Sequence, residues 1–380
     1  MFKNKKKILF LTGTRADFGK LKSLIQISEQ SSNLDVYIFV TGMHLQELYG
    51  YTVEEIKKSH FQNIYLFKNH QTSQRMDRLL AKTIEGFSDY IASLQPDLII
   101  VHGDRVEALA GAISGSLQNI LVAHIEGGEI SGTIDELIRH AVSKMSHIHF
   151  VSNPEASNRL LQLGELKECI HIIGSPDLDL MNPEKLADFQ QVARHYEIKH
   201  STFSIAMFHP VTTEIDTMQQ QASDFVDALI ASNRNYILIY PNNDLGSKII
   251  LKEYGRLQGH KNFNIFPSLK FEYFLTLLFH CQFIIGNSSA ALREAPYYGV
   301  PSINIGSRQK NRAEGPSILN ADSSQASILN AIQEAENLDK DSLKSFHSSF
   351  GSGDSDKQFI NLLSTETFWE VSRQKQFQDL

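Results

Sequence analysis

Short apolar runs rich in Val and Ile alternate along this chain with longer stretches in which apolar residues return every three or four positions. The short runs read as strands buried on both faces and the long stretches as amphipathic helices, so their alternation predicts βα units around parallel sheets. In the first half the predicted strands are Ile8–Thr12, Val36–Thr41, Asn63–Phe67, Leu98–His102, Ile120–His124, Ile148–Val151 and His171–Ile173. Helices are expected between them, over Phe18–Gln30, Gln74–Leu94, Val106–Leu117, Ile134–Lys144 and Pro154–Leu163. A second series places strands near Phe203–Phe208, Tyr236–Tyr240, Asn262–Phe266, Phe283–Gly286 and Ser302–Ile305, with helices such as Asp216–Ser232 and Glu272–His280. Gly174-Ser175-Pro176-Asp177 interrupts the period between the two series and marks the junction. Beyond Ile305 the strand signal fades into a polar loop, Ser307–Gly315, and then into helical stretches. The last of these, Phe359–Gln376, is long enough to leave its own domain and pack elsewhere.

The fold class expected is therefore α/β, with two Rossmann-like doubly wound domains facing each other across a cleft. Residues 1–175 form the first, with a C-terminal helix of about 359–380 packed back on it, and residues 176–358 form the second. A length of 380 residues agrees with two domains at ~150 residues each.

Composition narrows the functional classes. With 42% hydrophobic and 21% charged residues the chain is an ordinary globular protein. A formal net charge of −7 is a poor footprint for a nucleic-acid binder that relies on counterion release, so any polyanionic ligand must be held by a local cluster. Cys169 and Cys281 lie far apart and form no CxxC pair, which argues against a disulfide scaffold or a cysteine zinc site and for a reduced, cytoplasmic protein. Met1–Lys7 is basic, but the apolar run behind it, Ile8–Leu11, is too short for a signal sequence or a membrane span. The 15 histidines include His147 and His149 on one strand face, yet no HExxH or comparable ligand spacing occurs, so no metal is expected.

In open α/β sheets ligands bind beyond the carboxyl ends of the strands, and several of those positions are heavily loaded in this chain. The first strand runs into Gly13-Thr14-Arg15-Ala16-Asp17-Phe18-Gly19-Lys20, a glycine turn opening a helix with Arg15 at its mouth; this is an anion site or, more plainly, a turn with a solvated arginine. The fourth strand ends in His102-Gly103-Asp104-Arg105 and the fifth in His124-Ile125-Glu126-Gly127-Gly128-Glu129. Asp135 and Arg139, four apart, share one face of the next helix. Helix caps and surface ion pairs explain any one of these acids more easily than the set. Carboxylates sharing a site push their proton affinities apart and so supply both a proton acceptor and a donor. In the second half, Pro210 stops a strand and aims His209 outward, and Gly286-Asn287-Ser288-Ser289 opens a stretch whose hydroxyls and N–H groups suit phosphate. Glu294, about two turns into the helix expected there, would reach a ribose diol.

These blocks resemble the UDP-N-acetylglucosamine 2-epimerases, most closely the hydrolysing branch of sialic-acid biosynthesis. The similarity runs over nearly the whole chain and is carried by residues 12–20, 40–44, 102–105, 124–129 and 172–177, by Phe208-His209-Pro210-Val211-Thr212-Thr213-Glu214, by Tyr240-Pro241-Asn242-Asn243-Asp244, and by Gly286-Asn287-Ser288-Ser289. The resemblance implies the glycosyltransferase type B fold, no cofactor, no nicotinamide and no metal. It implies that Asp104, Glu126 and Asp135 are the catalytic acids and His209 the active-site histidine. Arg15, Ser288 and Ser289 match residues near the diphosphate, Glu294 the carboxylate on the ribose, and Phe271 to Phe274 the segment holding uracil; Lys20, His44, Arg139 and Asn242 complete the UDP-sugar contacts. The implied reaction takes UDP-N-acetylglucosamine and water to N-acetylmannosamine and UDP for capsule polysaccharide, in a cytoplasmic homodimer or tetramer with no nucleic-acid or membrane partner. Where the non-hydrolysing branch typically has glutamine, this chain has Met43, which favours the hydrolysing branch. The alternatives are the same chemistry on a 2,4-diacetamido-2,4,6-trideoxy UDP-sugar of the legionaminic-acid route, a type B glycosyltransferase, and a non-catalytic nucleotide-sugar sensor.

Overall fold

The computed structural model describes residues 5–69, 75–131, 134–310, 315–343, 350–351, 353–376 and 378. Two compact units divide the chain: Met1–Glu129 with Asp135–Leu180 and Ser349–Leu380, and Ile130–Ile134 with Met181–Ser348.

The first unit is built on a seven-stranded parallel sheet in the order β3-β2-β1-β4-β5-β6-β7. Its strands are β1 (Lys6–Thr12), β2 (Leu34–Val40), β3 (Asn63–Leu66), β4 (Leu98–His102), β5 (Leu121–Ile125), β6 (Ile148–Val151) and β7 (Ile170–Ile172). Consecutive Ile8, Leu9 and Phe10 are all fully buried. Burial of every successive residue, instead of every second one, means that both faces of the sheet are covered, and this is why the strands read as unbroken apolar runs. The order reverses between β1 and β4, so their carboxyl ends diverge there and open a crevice of the kind ligands use.

The second unit repeats the plan with six parallel strands in the order β10-β9-β8-β11-β12-β13. These are β8 (Ser204–Met207), β9 (Tyr236–Ile239), β10 (Phe263–Phe266), β11 (Ile284–Gly286), β12 (Ser302–Ile305) and β13 (Ile318–Ala321). Its reversal falls between β8 and β11. Strand β13 escaped the sequence pattern because it is a partly exposed edge strand, Ile-Leu-Asn-Ala, with no β-branched run behind its first residue.

The last helix is shorter than its periodicity suggests: it covers Ser355–Leu363 and is followed by a tight turn at Thr367–Glu370. Trp369 ends it by donating its indole N–H to the carbonyl of Leu363 at 3.0 Å, and Phe368 stacks on Phe150 at 6.1 Å between ring centroids. Phe359, fully buried, packs on Phe10 and Phe150 at 6.4 and 5.1 Å, so this segment covers one face of the first sheet. Among the described residues no helix is long and apolar enough to cross a membrane.

Candidate functional site

At the reversal of the first sheet, β1 leads into a turn whose backbone donors converge on one carboxylate. Asp17 accepts from the N–H groups of Gly13 and Thr14 at 3.0 and 3.1 Å and from the Thr12 hydroxyl, while the Thr14 hydroxyl accepts from the Asp17 N–H at 3.2 Å. This reciprocal cap fixes the start of the helix Arg15–Glu29. Arg15, its first residue, pairs through Nε with Glu55 at 2.6 Å and keeps a fifth of its side chain exposed. Lys20, one turn on, is buried, with Nζ 2.9 Å from Glu126 Oε1 and 3.6 Å from Asp177 Oδ2.

The three acids named from the sequence lie just past β4, just past β5 and on the helix that follows β5. Arg139, 1% exposed on the helix Ile134–Met145, ties two of them together. Its Nη2 makes a charge-assisted hydrogen bond to Asp104 Oδ2, its Nη1 donates to the Glu126 carbonyl oxygen at 2.6 Å, and the same Nη1 is 3.8 Å from Glu126 Oε2. Asp135 lies one turn earlier and is also buried, as the spacing of four requires. Glu126 itself has φ +67, a left-handed conformation that costs a residue with a Cβ about 1–2 kcal/mol. The Arg139 bond to its carbonyl, and its own N–H bonded to Phe150 O at 3.2 Å, hold it there.

The two tied carboxylates occupy unlike surroundings. Asp104 keeps 21% of its side chain exposed beside a guanidinium, whereas Glu126 is 5% exposed and faces the Lys20 ammonium and, at 3.3 Å, His102 Nε2. That asymmetry is what a pair of groups needs if one is to take a proton and another to give one. His124 braces the turn between β4 and Asp104: its Nε2 is 2.8 Å from Gly103 O and its Nδ1 2.9 Å from Ser143 Oγ. Burial holds this imidazole down to about 3, so the neutral ring donates at Nε2 and accepts at Nδ1.

His44, expected to touch the substrate, is wholly buried. Its two ring nitrogens are taken by Thr12 Oγ1 at 3.0 Å and Thr52 Oγ1 at 2.7 Å, and burial pushes its pKa down to about 4. Gly42, at φ +62, turns the chain inward just before it, and a Cβ there would meet Gly13 O at 2.6 Å. The ring therefore pins the turns after β1 and β2 to the helical segment beyond.

At the reversal of the second sheet the approach of β8 and β11 is closer still. Gly286 has φ +138, and a Cβ on it would stand 1.9 Å from Met207 O. Asn287 then continues the ladder with its side chain: Oδ1 accepts from the His209 N–H at 2.6 Å and Nδ2 donates to His209 O at 2.8 Å. His209 Nδ1 accepts the backbone N–H of Asn242 at 3.0 Å, so the neutral ring carries its proton on Nε2. Asn242 thus acts on the histidine through its main chain.

Ser288 Oγ caps the turn Ser289–Ala291, accepting from Ala290 N–H at 3.3 Å. The single helix expected beyond it does not form. Leu292 and Arg293 break the run, and Glu294 is the first residue of a four-residue helix, Glu294–Tyr297, instead of lying two turns in. Pro296 is the cause, since it has no N–H for the preceding turn and its ring collides with that turn's carbonyl. Glu294 is buried nonetheless, at 3% exposure. Phe271 and Phe274 open the helix Phe271–His280 with their rings 6.4 Å apart and inclined by 25°.

Asp17, Lys20 as the partner of Glu126, Asp177, His102 and Asn287 are contributions that the linear pattern assigned to no role or to another one. Each is a polar residue inside a quoted motif, and except for Asp17, whose partners are Thr12, Gly13 and Thr14, its role comes from a partner distant in sequence. No group of three or more His, Cys, Asp or Glu able to hold a metal occurs among the described residues.

Comparison with known proteins matches residues 26–364 to the family described as UDP-N-acetylglucosamine 2-epimerase. A UDP-N-acetylglucosamine 2-epimerase of Neisseria meningitidis serogroup B is 47% identical over 378 residues, covering 99% of both chains. A UDP-N,N'-diacetylbacillosamine 2-epimerase (hydrolyzing) of Legionella pneumophila is 34% identical over 95% of this chain and 96% of its own. Among solved structures, the UDP-GlcNAc 2-epimerase of Methanocaldococcus jannaschii in complex with UDP-GlcNAc and UDP superposes with a TM-score of 0.80 at 21% identity, over 94% of this chain and 99% of that one. The fold is the glycosyltransferase type B-like fold of two parallel-sheet α/β domains.

Proposed function

Because the chain belongs to the UDP-N-acetylglucosamine 2-epimerase family, we propose that it is a hydrolysing member, converting UDP-N-acetylglucosamine and water to N-acetylmannosamine and UDP for sialic-acid synthesis. One carboxylate of the Asp104, Glu126 and Asp135 group takes the C2 proton while the C1–O bond breaks and its electron pair leaves with UDP, giving 2-acetamidoglucal. Water then adds at C1, and a protonated acid returns a proton to C2 on the opposite face, which inverts that carbon. The leaving diphosphate needs cations and N–H donors, roles that fall to Arg15, Ser288, Ser289 and the Nε2–H of His209, with Glu294 on the ribose and Phe271 and Phe274 beside uracil.

The observation that carries this reading is the buried tie of Asp104 and Glu126 through Arg139, with Asp135 one turn away. A glycosyl transfer with a good leaving group needs at most one base, and a nucleotide-sugar sensor needs no acids at all. The likeness to the Legionella enzyme favours a second substrate, the 2,4-diacetamido-2,4,6-trideoxy sugar, on the same machinery.

The deciding experiment incubates the purified protein with each UDP-sugar separately, without an acceptor, in deuterium oxide and in oxygen-18 water. The expected result is free 2-epimerised sugar carrying deuterium at C2, together with UDP free of oxygen-18. Label in the terminal phosphate of UDP, or a C2 position without deuterium, would overturn the mechanism. Turnover of the trideoxy sugar alone would move the protein to the legionaminic-acid route.

A further inference from the structure

Glu107 is an acid that the proposed chemistry leaves unused. It is the second residue of the helix Val106–Leu117 and is 2% exposed. Among the described residues neither of its carboxylate oxygens makes a well-formed hydrogen bond, and Arg105 Nε stands 3.9 Å from Oε2. The carboxyl group is lodged between two backbone turns. A Cβ on Gly13, just past β1, would lie 2.9 Å from Glu107 Cγ, and one on Gly42, just past β2, would lie 2.8 Å from Oε1.

The donors of both turns are already committed elsewhere. Asp17 takes the N–H groups of Gly13 and Thr14, Asn69 Oδ1 takes that of Gly42 at 3.2 Å, and the His44 N–H points to Gly13 O at 3.4 Å. An ionised carboxylate in that setting would be desolvated with little compensation. Burial accordingly pushes the Glu107 acid up from its usual range; Arg105, its own N–H and Asn69 oppose the rise, and the Asp17 charge adds to it. A buried acid whose contacts with Asn69, Arg105 and its own N–H fall short of well-formed hydrogen bonds, and which fills a gap between two loops, acts through its shape.

We propose that Glu107 is a positioning residue whose carboxyl group, by filling the space between the Gly13 and Gly42 turns, sets where Arg15 stands for the departing diphosphate. The inference rests on the reading of Arg15 as a diphosphate contact. Glu107 works in this role as a neutral group, so an amide of the same outline replaces it and a smaller side chain does not.

Three variants, E107Q, E107A and E107D, test this by two readouts. The first is KM and kcat for the UDP-sugar. The second is amide hydrogen exchange at 13–15 and 42–44 compared with β1 and β2, which needs no turnover. In E107A the turn amides should exchange about tenfold faster and KM should rise about tenfold or more, since a displacement near 1 Å at a positioning contact is worth up to about a hundredfold. E107Q should restore both to within about twofold of the parent, a split that a requirement for charge would not produce. E107D keeps the carboxyl group but withdraws it by one methylene, so it should resemble E107A, and it carries the test where E107A fails to fold. An E107Q variant as damaged as E107A, or unchanged exchange in both E107A and E107D, would overturn the proposal. A parent protein that leaves both UDP-sugars untouched would instead overturn the functional reading, with the exchange pattern still deciding this one.

Discussion

Replacing Arg139 by methionine tests the core of the candidate site, because one guanidinium holds two acids. The substitution keeps an unbranched buried side chain of comparable length and removes both a charge-assisted bond to Asp104 and the 2.6 Å bond to the Glu126 carbonyl. Breaking a buried ion pair by removing one partner costs about 3–5 kcal/mol. Asp104 is 21% exposed and can rehydrate in part, and Glu126 retains Lys20 at 2.9 Å, so the low end of that range, about 3 kcal/mol, is expected. Urea unfolding followed by circular dichroism reads it. With two domains the transition is not all-or-none, and the shift should be confined to the transition of the first domain. Division by a slope of about 1–3 kcal/mol per molar gives a midpoint lowered by roughly 1–3 M. Asp104→Asn removes the charge that Arg139 neutralises, so the double variant R139M/D104N should be less destabilised than the sum of the two singles, by about 1–2 kcal/mol. A midpoint within about 0.3 M of the parent, or strictly additive singles, would mean that Arg139 does not hold the acids together.

Asp104→Asn, Glu126→Gln and Asp135→Asn should each reduce turnover by about a hundredfold or more while calorimetry shows UDP binding intact, and near-parental turnover in any one removes that residue from the reaction. Ser288→Ala and Glu294→Ala should each weaken UDP by about 1–3 kcal/mol; unchanged affinity in both would place the nucleotide elsewhere. Burial holds His44 at about 4 and His124 at about 3, so the fold takes both rings neutral while the unfolded chain binds protons from about pH 6.5 downward. The first domain should therefore lose stability as pH falls through 6.5 toward 4. Asp179, pushed up to about 6 by burial, works in the opposite sense below that value and reduces the loss. Thermal melts at successive pH values check the sign, and a first-domain midpoint that rises on acidification would contradict it.

Strands, their order of appearance and the acids behind β4 and β5 could be read from the chain because each is a local property. A fully buried strand must be apolar at every position, and a polar residue directly after it stands at a sheet edge where ligands bind. What escaped the pattern depends on partners distant in sequence. The side chain of Asn287 imitates a ladder rung because Gly286 lets β11 come against Met207, and nothing in the letters Asn-Ser-Ser announces that. Glu107 looks like an ordinary acid in the first turn of a helix until Gly13 and Gly42 close over it. His44 reads as a ligand contact from its motif, yet Thr12 and Thr52 enclose it. Pro296 was visible, and its effect on the helix carrying Glu294 follows from the chemistry of proline alone.

The helix Ser355–Leu363 belongs to the first domain but is made last. During synthesis the first sheet emerges whole, through β7, and the entire second domain must then be translated before Phe359 reaches Phe10 and Phe150. At ordinary elongation rates that interval is on the order of ten seconds. For that time an aromatic face of the sheet is without its cover, while the second domain, whose six strands all lie in the stretch from Met181, can complete itself first. The order of folding is thus the reverse of the order of translation for the domain bearing the acids. A nascent chain halted after β7 but before residue 359 carries Asp104, Glu126 and Asp135 and still exposes Phe10 and Phe150, which makes such interrupted translation products of this protein a substrate for chaperones and aggregation rather than a source of partial activity.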